Sequence, residues 1–156
     1  MAINTTFTSG AILTAAQMNN LPWGVAGVQT STSIFNTSAP HTTFQDNGMT
    51  LTITEVSGRR YKVTVMGLPY PTGGAQGMGY RIVRAGVSLV QRNLSTLLMN
   101  ATNTFPLNLS YVYTAVSSGS ATYTVQIQAS TNNTQVTDYG DATFPRQFFI
   151  EDIGPS

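Results

Sequence analysis

The chain has 156 residues, one histidine, no cysteine and a net charge of +1. This length predicts one domain, and the lack of cysteine excludes a disulfide framework and a thiolate metal site. Only 8% of the residues are charged, against about 25% in an average domain. The basic residues are scattered, so we expect no nucleic-acid partner. No apolar run reaches membrane-spanning length, and we therefore expect no membrane insertion.

A short helix is predicted close to the N-terminus. Thr14 and Gln17 have the spacing of a capping box, in which each side chain bonds the backbone N–H of the other residue. The helix should run to about Leu21, because Pro22 then ends it. With fewer than two turns it is too short to be stable alone, and it must dock on another surface.

The residues around this helix are predicted to form an attachment segment. Isolated apolar side chains in residues 1–13 follow no period, which indicates an extended arm. We therefore divide the chain into an N-terminal arm with its short helix, residues 1–27, and a β domain, residues 28–156. The side chains expected to enter grooves of a partner are Phe7, Leu13, Met18 and Trp23.

Residues 107–129 carry the clearest strand pattern. Their apolar residues alternate on both sides of Ser117-Ser118-Gly119, which predicts a hairpin with Tyr113 opposite Tyr123. The third loop residue is Gly, the residue favoured at the left-handed position of a three-residue turn. Such a hairpin has one apolar face, so the rest of the chain must cover it. The side chains expected in the core are Tyr111, Tyr113, Tyr123, Val125 and Ile127.

Residues 49–65 repeat this arrangement. Their apolar faces match when the two halves fold back on each other around Val56-Ser57-Gly58. This second predicted hairpin brings Glu55 opposite Arg59 and again has Gly as the third loop residue.

The remaining segments complete an all-β prediction. Residues 80–92 alternate as one long strand, in which Gly86 indicates a bulge. Several short strands with turn signals and almost no helix predict an antiparallel β-sandwich, most simply a jelly roll. The last strand, residues 146–153, is apolar on both faces, which is typical of a strand between layers or at a subunit interface. The expected interface residues are Phe148, Phe149, Ile150 and Ile153.

The sequence offers little for catalysis or metal binding. His41 has no acid or nucleophile motif near it, so a catalytic triad is not expected. Asp138 and Asp141 flank a turn whose oxygens could hold calcium, although such residues are also ordinary turn formers. Glu151 and Asp152 point to opposite faces of a strand. We therefore expect no catalytic residue, no metal, no cofactor and no enzymatic activity.

Two segments resemble the virion proteins of tailed bacteriophages. Phe7–Asn19, FTSGAILTAAQMN, resembles the N-terminal segment of many small phage virion proteins, which reads roughly F-T-x-G-x-x-L-T-A-A-x-x-N. Arg146–Pro155, RQFFIEDIGP, is similar to the closing strand of phage fibre, tail and head-surface domains. The resemblance implies a trimeric jelly-roll head of the tumour-necrosis-factor-like kind, attached to the particle by its N-terminal segment.

These observations favour a non-enzymatic structural protein, assembled in the host cytoplasm and displayed on the virion exterior. It would be a minor tail or tail-fibre protein, or a capsid decoration, with two kinds of partner: itself, as a homotrimer, and other virion proteins through the arm. The alternative is a carbohydrate-binding module that contacts a glycan of the host envelope. Trp23, Tyr70 and Tyr80 lie near loops and could stack on a sugar, although packing inside the protein explains such rings more often.

Overall fold

The computed structural model describes residues 15–19, 21–37, 43–72, 77–94, 106–129 and 135–156. The elements in this part of the chain are helix α1 (Ala15–Asn19) and strands β1 (Gly24–Ser31), β2 (Phe35–Asn36), β3 (Gln45–Glu55), β4 (Arg59–Thr72), β5 (Met78–Arg84), β6 (Val87–Leu94), β7 (Leu107–Thr114), β8 (Gly119–Ala129), β9 (Gln135–Tyr139) and β10 (Arg146–Pro155). Over the same ranges, none of the helical structure has the length and apolarity needed to cross a bilayer.

Two antiparallel sheets form a β-sandwich. The larger sheet has the order β1-β10-β4-β9-β2. β7 also pairs with β4. The β4 residues that pair with β7 also pair with β10, so β7 and β10 lie on opposite sides of β4. The smaller has the order β3-β8-β5-β6. When the short strands β2 and β9 are set aside and the other strands are renumbered in chain order, the sheets read 1-8-3-6 and 2-7-4-5. This is the strand order of a jelly roll, so the predicted fold class is confirmed.

The core lies between the two sheets. Its largest fully buried side chains include Tyr61, Tyr80, Tyr123 and Phe148. Along β8 the predicted faces are confirmed, since Val125 and Ile127 are completely buried whereas the intervening polar residues are not. Burial of one such side chain stabilises the fold by about 1.5–3 kcal/mol. Tyr111 was expected in the core but is 40% exposed, because within the described residues β7 is paired only with β4 and forms a sheet edge.

Neither predicted three-residue hairpin forms, because both loops cross from one sheet to the other. β7 belongs to the larger sheet and β8 to the smaller, and β3 and β4 are separated in the same way. Tyr113 is paired in register with Tyr61, not with Tyr123. The rings of Tyr113 and Tyr123 do meet, but across the sandwich, with centroids 6.1 Å apart. The period-two pattern identified the core faces correctly and was wrong about which strands are hydrogen-bonded.

The predicted long strand over residues 80–92 is instead the hairpin β5–β6. Its two-residue turn is Ala85-Gly86, with φ values of 46° and 83°. Both residues are left-handed, as a type I′ turn requires, and this turn matches the twist of the two strands. The sequence did not reveal it, because Ala is an unusual residue at a left-handed position.

The ends of the chain also differ from the prediction. The helix is present and ends before Pro22, but β1 begins at Gly24, inside the predicted arm of residues 1–27. Residues 1–14 lie outside the described part of the chain.

In β10, Phe148 and Ile150 are completely buried in the core of this chain. Both side chains point into the core, because side chains alternate along a strand and only every second one points outward.

Candidate functional site

The outward face of the larger sheet carries a group of apolar side chains. Register places Val28 beside Phe149, and Val25 beside Glu151. On the other side of β10, Glu151 lies beside Lys62, which in turn lies beside Val112. We call this surface the outer apolar face, and its apolar members are Val25, Val28, Met66, Val112, Phe149 and Ile153.

The outer apolar face departs from the usual pattern of an antiparallel sheet, in which the solvated side is polar. Val25 and Val28 are each 64% exposed, Val112 is 45% exposed and Met66 is 39% exposed. Phe149 and Ile153, two of the predicted interface residues, are half-buried on this side. Exposed apolar side chains gathered on one face of a sheet are typical of the surfaces that proteins use for interactions.

This face also carries charged side chains. Lys62 Nζ lies 3.3 Å from Glu151 Oε2, and both side chains are partly exposed. Beside this pair, the hydroxyls of Thr64 and Ser110 hydrogen-bond to each other at 2.9 Å. The face therefore combines apolar side chains, hydroxyls, one ion pair and the exposed Arg60, which lies two residues before Lys62 on β4 and so points to the same side.

An apolar groove continues the face at one end of the sandwich. It has a volume of about 330 Å³, and its lining includes Met66, Leu68, Leu107 and Phe144. Phe144 is 58% exposed, and Met66 belongs to both the groove and the outer apolar face. The apolar surface thus extends to the loop before β10.

Asp138, considered above for calcium, lies in a buried cluster that joins the two sheets. Its Oδ2 accepts hydrogen bonds from Asn47 Nδ2 at 2.8 Å and from the Tyr80 hydroxyl at 3.0 Å. Arg146 Nη1 lies 3.4 Å from the same oxygen. Burial raises the pKa of Asp138, although Arg146 and the two hydrogen-bond donors act in the opposite direction. The role of this carboxylate is to hold the layers together.

Asp141 has a separate, local role. Its Oδ1 accepts hydrogen bonds from the backbone N–H groups of Thr143 and Phe144 at 2.7 Å and 2.6 Å. Its other oxygen accepts a bond from the Tyr139 hydroxyl. It therefore caps a turn, as Asp commonly does. Across the described ranges, no three carboxylate or imidazole groups are placed to hold a metal ion.

A second buried cluster surrounds Glu55. Arg84 Nε donates to Glu55 Oε1 at 2.8 Å, and the hydroxyls of Tyr113 and Tyr123 donate to the same oxygen. Burial alone would raise the pKa of Glu55, but the hydrogen bonds of Arg84 and Tyr113 and the charge of Arg84 together lower it. The predicted approach of Glu55 to Arg59 was wrong, because the two residues lie on different sheets.

Arg59 instead forms a third buried pair, with Asp152. Arg59 Nε lies 2.6 Å from Asp152 Oδ2, and both side chains are at most 5% exposed. Asp152 points inward and Glu151 outward, as the strand period predicted.

The predicted attachment residues Met18 and Trp23 are 56% and 57% exposed. Phe7 and Leu13 lie outside the described residues.

The residues considered for sugar stacking are not brought together. Tyr80 is completely buried, and its hydroxyl is used by Asp138. Tyr70 is half-buried in β4. Trp23 is exposed, but the guanidinium of Arg59 covers its ring at 4.0 Å from the centroid. His41 lies outside the described residues.

No protein-family model matches this sequence, and a comparison with curated proteins finds no match. Solved structures with a similar fold include the VP2 subviral particle of infectious bursal disease virus, with 9% identity over 86% of this chain and 37% of that chain, at a TM-score of 0.43. The insecticidal delta-endotoxin Cry8Ea1 of Bacillus thuringiensis has 11% identity over 74% of this chain and 19% of that chain, at a TM-score of 0.41. Latent PorU of Porphyromonas gingivalis has 10% identity over 94% of this chain and 14% of that chain, also at a TM-score of 0.41. The chain spans less than two fifths of each of these chains, and likeness this distant carries nothing about function.

Proposed function

We propose that this chain is a non-enzymatic structural protein on the surface of a tailed-phage particle. In this proposal three copies associate through the outer apolar face, and the N-terminal segment attaches them to the particle as a minor tail or fibre protein or as a capsid decoration. The observation that carries the proposal is the outer apolar face itself. The resemblance of Phe7–Asn19 and Arg146–Pro155 to phage virion proteins supports the same assignment.

Burial of this face supplies the driving force for association. Each square ångström of apolar surface removed from water contributes about 25 cal/mol. Val25, Val28 and Val112 are the most exposed of its side chains, so they have the most to gain. Closed symmetric assembly would bury them in every copy and leave no apolar edge free.

The state of the buried acids supports a role without catalysis. Glu55, Asp138 and Asp152 are each at most 2% exposed, and each is ion-paired to an arginine. A general acid or base has to reach a substrate, and these three carboxylates are enclosed by their partners. Their placement fits a stabilising function within the sandwich.

The first test is the mass of the purified full-length chain in solution. We expect a trimer at micromolar concentration, and substitution of Val28 by Asp should weaken its association at least about tenfold, because a carboxylate would then be buried. Val87→Asp is the matched control, since Val87 is 68% exposed on β6 of the other sheet and should tolerate the change.

A wild-type chain that stays monomeric at this concentration would contradict the assembly. Equal weakening by both substitutions would show that the outer apolar face is not the interface. The position of the chain in an image of the intact particle then decides between tail and capsid.

A further inference from the structure

The guanidinium of Arg59 makes contacts in two directions. On the inner side, Asp152 holds it through two hydrogen bonds, at 2.6 Å to Nε and 2.8 Å to Nη2. On the outer side, Nη1 donates to the carbonyl oxygen of Asn19, and Nη2 donates to that of Leu21 at 2.6 Å. The ring of Trp23 lies against the same group, 4.0 Å from its central carbon. One buried side chain thus joins the sandwich to the segment that precedes it.

We propose that Arg59 is a clamp that fixes the N-terminal segment on the head. The clamp holds α1, with the exposed side chains of Met18 and Trp23, in one orientation for a partner on the particle. This inference rests on the proposed attachment through the N-terminal segment. A binding surface that is ordered before contact loses less conformational entropy on docking, so the clamp strengthens attachment without touching the partner.

The geometry requires an arginine. Its planar fork offers five N–H donors in fixed directions, enough for a two-point bond to a carboxylate and two further bonds to carbonyls. Asp152 is itself held, because its Oδ1 accepts a hydrogen bond from the backbone N–H of Gly154 at 2.9 Å. A lysine has a single charged point at its end and cannot reproduce this set of contacts.

The helix needs the clamp. α1 has five residues, and a helix this short does not persist alone. The carbonyls at the end of a helix have no partner inside it and carry partial negative charge. Arg59 supplies the missing donors and a positive charge at this end, through Asn19 at the last helical position and Leu21 beyond it.

Hydrogen exchange and fluorescence of the full-length protein test the clamp. Trp23 is the single tryptophan of the chain, so its emission and its quenching by acrylamide report on this contact alone. In the wild-type protein the backbone amides of residues 18, 19, 21 and 23 should exchange at least about tenfold more slowly than in a free peptide of the same sequence, and residue 22 is a proline without an amide hydrogen. Arg59→Met should remove most of this protection and make Trp23 more accessible to the quencher, and Arg59→Lys should have an intermediate effect.

Arg60→Met is the matched control, because Arg60 is the next residue of β4 and is exposed. It should leave both signals unchanged. Arg59→Met also leaves Asp152 buried without its partner, which endangers folding. The double variant R59M/D152N removes that unpaired charge and keeps an acceptor for Gly154, and it should lose the protection of the segment while the strands stay protected.

The clamp is overturned if the amides of residues 18, 19, 21 and 23 of the wild-type protein exchange as fast as those of the free peptide. It is also overturned if the folded double variant keeps the wild-type protection. Failure of the proposed function is a separate result, because it is measured as binding of the chain to particles and not as exchange. Loss of particle binding on removal of residues 1–23, together with unchanged exchange in the Arg59 variants, would reject the clamp and retain the attachment.

Discussion

Half of the acidic side chains of this protein are buried, and each of them has a defined set of donors. The chain has six Asp and Glu residues, of which Glu55, Asp138 and Asp152 lie inside the sandwich. An unpaired charge there would cost several kcal/mol, so the arginines that accompany them are part of the fold. Two of the clusters differ in the direction of their pKa shift, because burial dominates and raises the pKa of Asp138, whereas the hydrogen-bond donors dominate and lower the pKa of Glu55.

The first prediction concerns Glu55. Its folded pKa is below the ordinary value of 4.5, so the native state binds fewer protons than the unfolded state. The stability that Glu55 contributes is therefore complete above that value and is lost as the pH falls through the folded pKa. Glu55→Gln should lower the free energy of unfolding by roughly 3 kcal/mol at neutral pH, where the loss of one partner of a buried ion pair costs about 3–5 kcal/mol. The lower value is expected because the Arg84 side chain is 25% exposed.

Thermal unfolding of both proteins between pH 7 and pH 3 checks this prediction. The melting temperature of the wild type should fall more steeply below the ordinary glutamate pKa than that of the variant. Asp46→Asn is the control, since Asp46 is exposed on β3 of the smaller sheet and accepts a hydrogen bond from Gln126 that Asn can also accept, so the change should cost less than about 1 kcal/mol. Parallel curves for the wild type and the Glu55 variant would contradict the linkage.

At the scale of the elements, the crossings between sheets and the turn of β5–β6 determine how the strands are joined. Gly58 has a φ of 80° in the corner between β3 and β4, and it occupies a left-handed position in a crossing as it would in a hairpin. A left-handed glycine therefore suits both kinds of connection, the hairpin within one sheet and the crossing between two sheets. What differs is the sheet that the next strand enters.

The second prediction concerns Ala85 in the β5–β6 turn. Ala85 has a φ of 46° and is followed by Gly86. A left-handed Ala is strained by about 1–2 kcal/mol, and Asn tolerates this conformation better. Ala85→Asn creates the Asn-Gly pair favoured in type I′ turns and should stabilise the protein by roughly 0.5–1 kcal/mol.

Denaturant unfolding measures this change. Gly86→Ala provides the opposite substitution, because it places a Cβ at a φ of 83°, and it should destabilise the protein by about 1 kcal/mol. The Ala85 prediction fails if Asn lowers the midpoint.

At the scale of the molecule, the described structure is a jelly roll with an outer apolar face on the larger sheet and a clamped segment at Arg59. The two features serve different contacts in the proposed function. The face serves association of copies, and the segment serves attachment. They can therefore be removed independently.

The third prediction is that deletion of residues 1–23 abolishes binding to particles that lack this protein. The deletion ends before β1, which begins at Gly24, so the sandwich strands remain complete. The truncated chain should keep the β-sheet circular dichroism and the oligomeric state of the full chain, which is the control for folding. Full occupancy of the particle by the truncated chain would place the attachment elsewhere.

The period-two pattern by itself determined the fold class and the core-facing side of the strands. Val125 and Ile127 were assigned to the core from alternation alone, and both are completely buried. Local chemistry also predicted the helix before Pro22 and a left-handed Gly58. These features depend on neighbouring residues of the chain, and therefore a sequence contains them without knowledge of the rest of the molecule.

Only the tertiary structure decided which strands pair and which charges meet. Tyr113 and Tyr123 face each other in the predicted hairpin and also in the sandwich, because two apolar faces can be matched edge to edge or across layers with the same alternation. The pairs of Arg84 with Glu55 and of Arg59 with Asp152 join residues 29 and 93 positions apart. No local pattern specifies such contacts, and the outer apolar face and the clamp are formed only once the sheets are assembled.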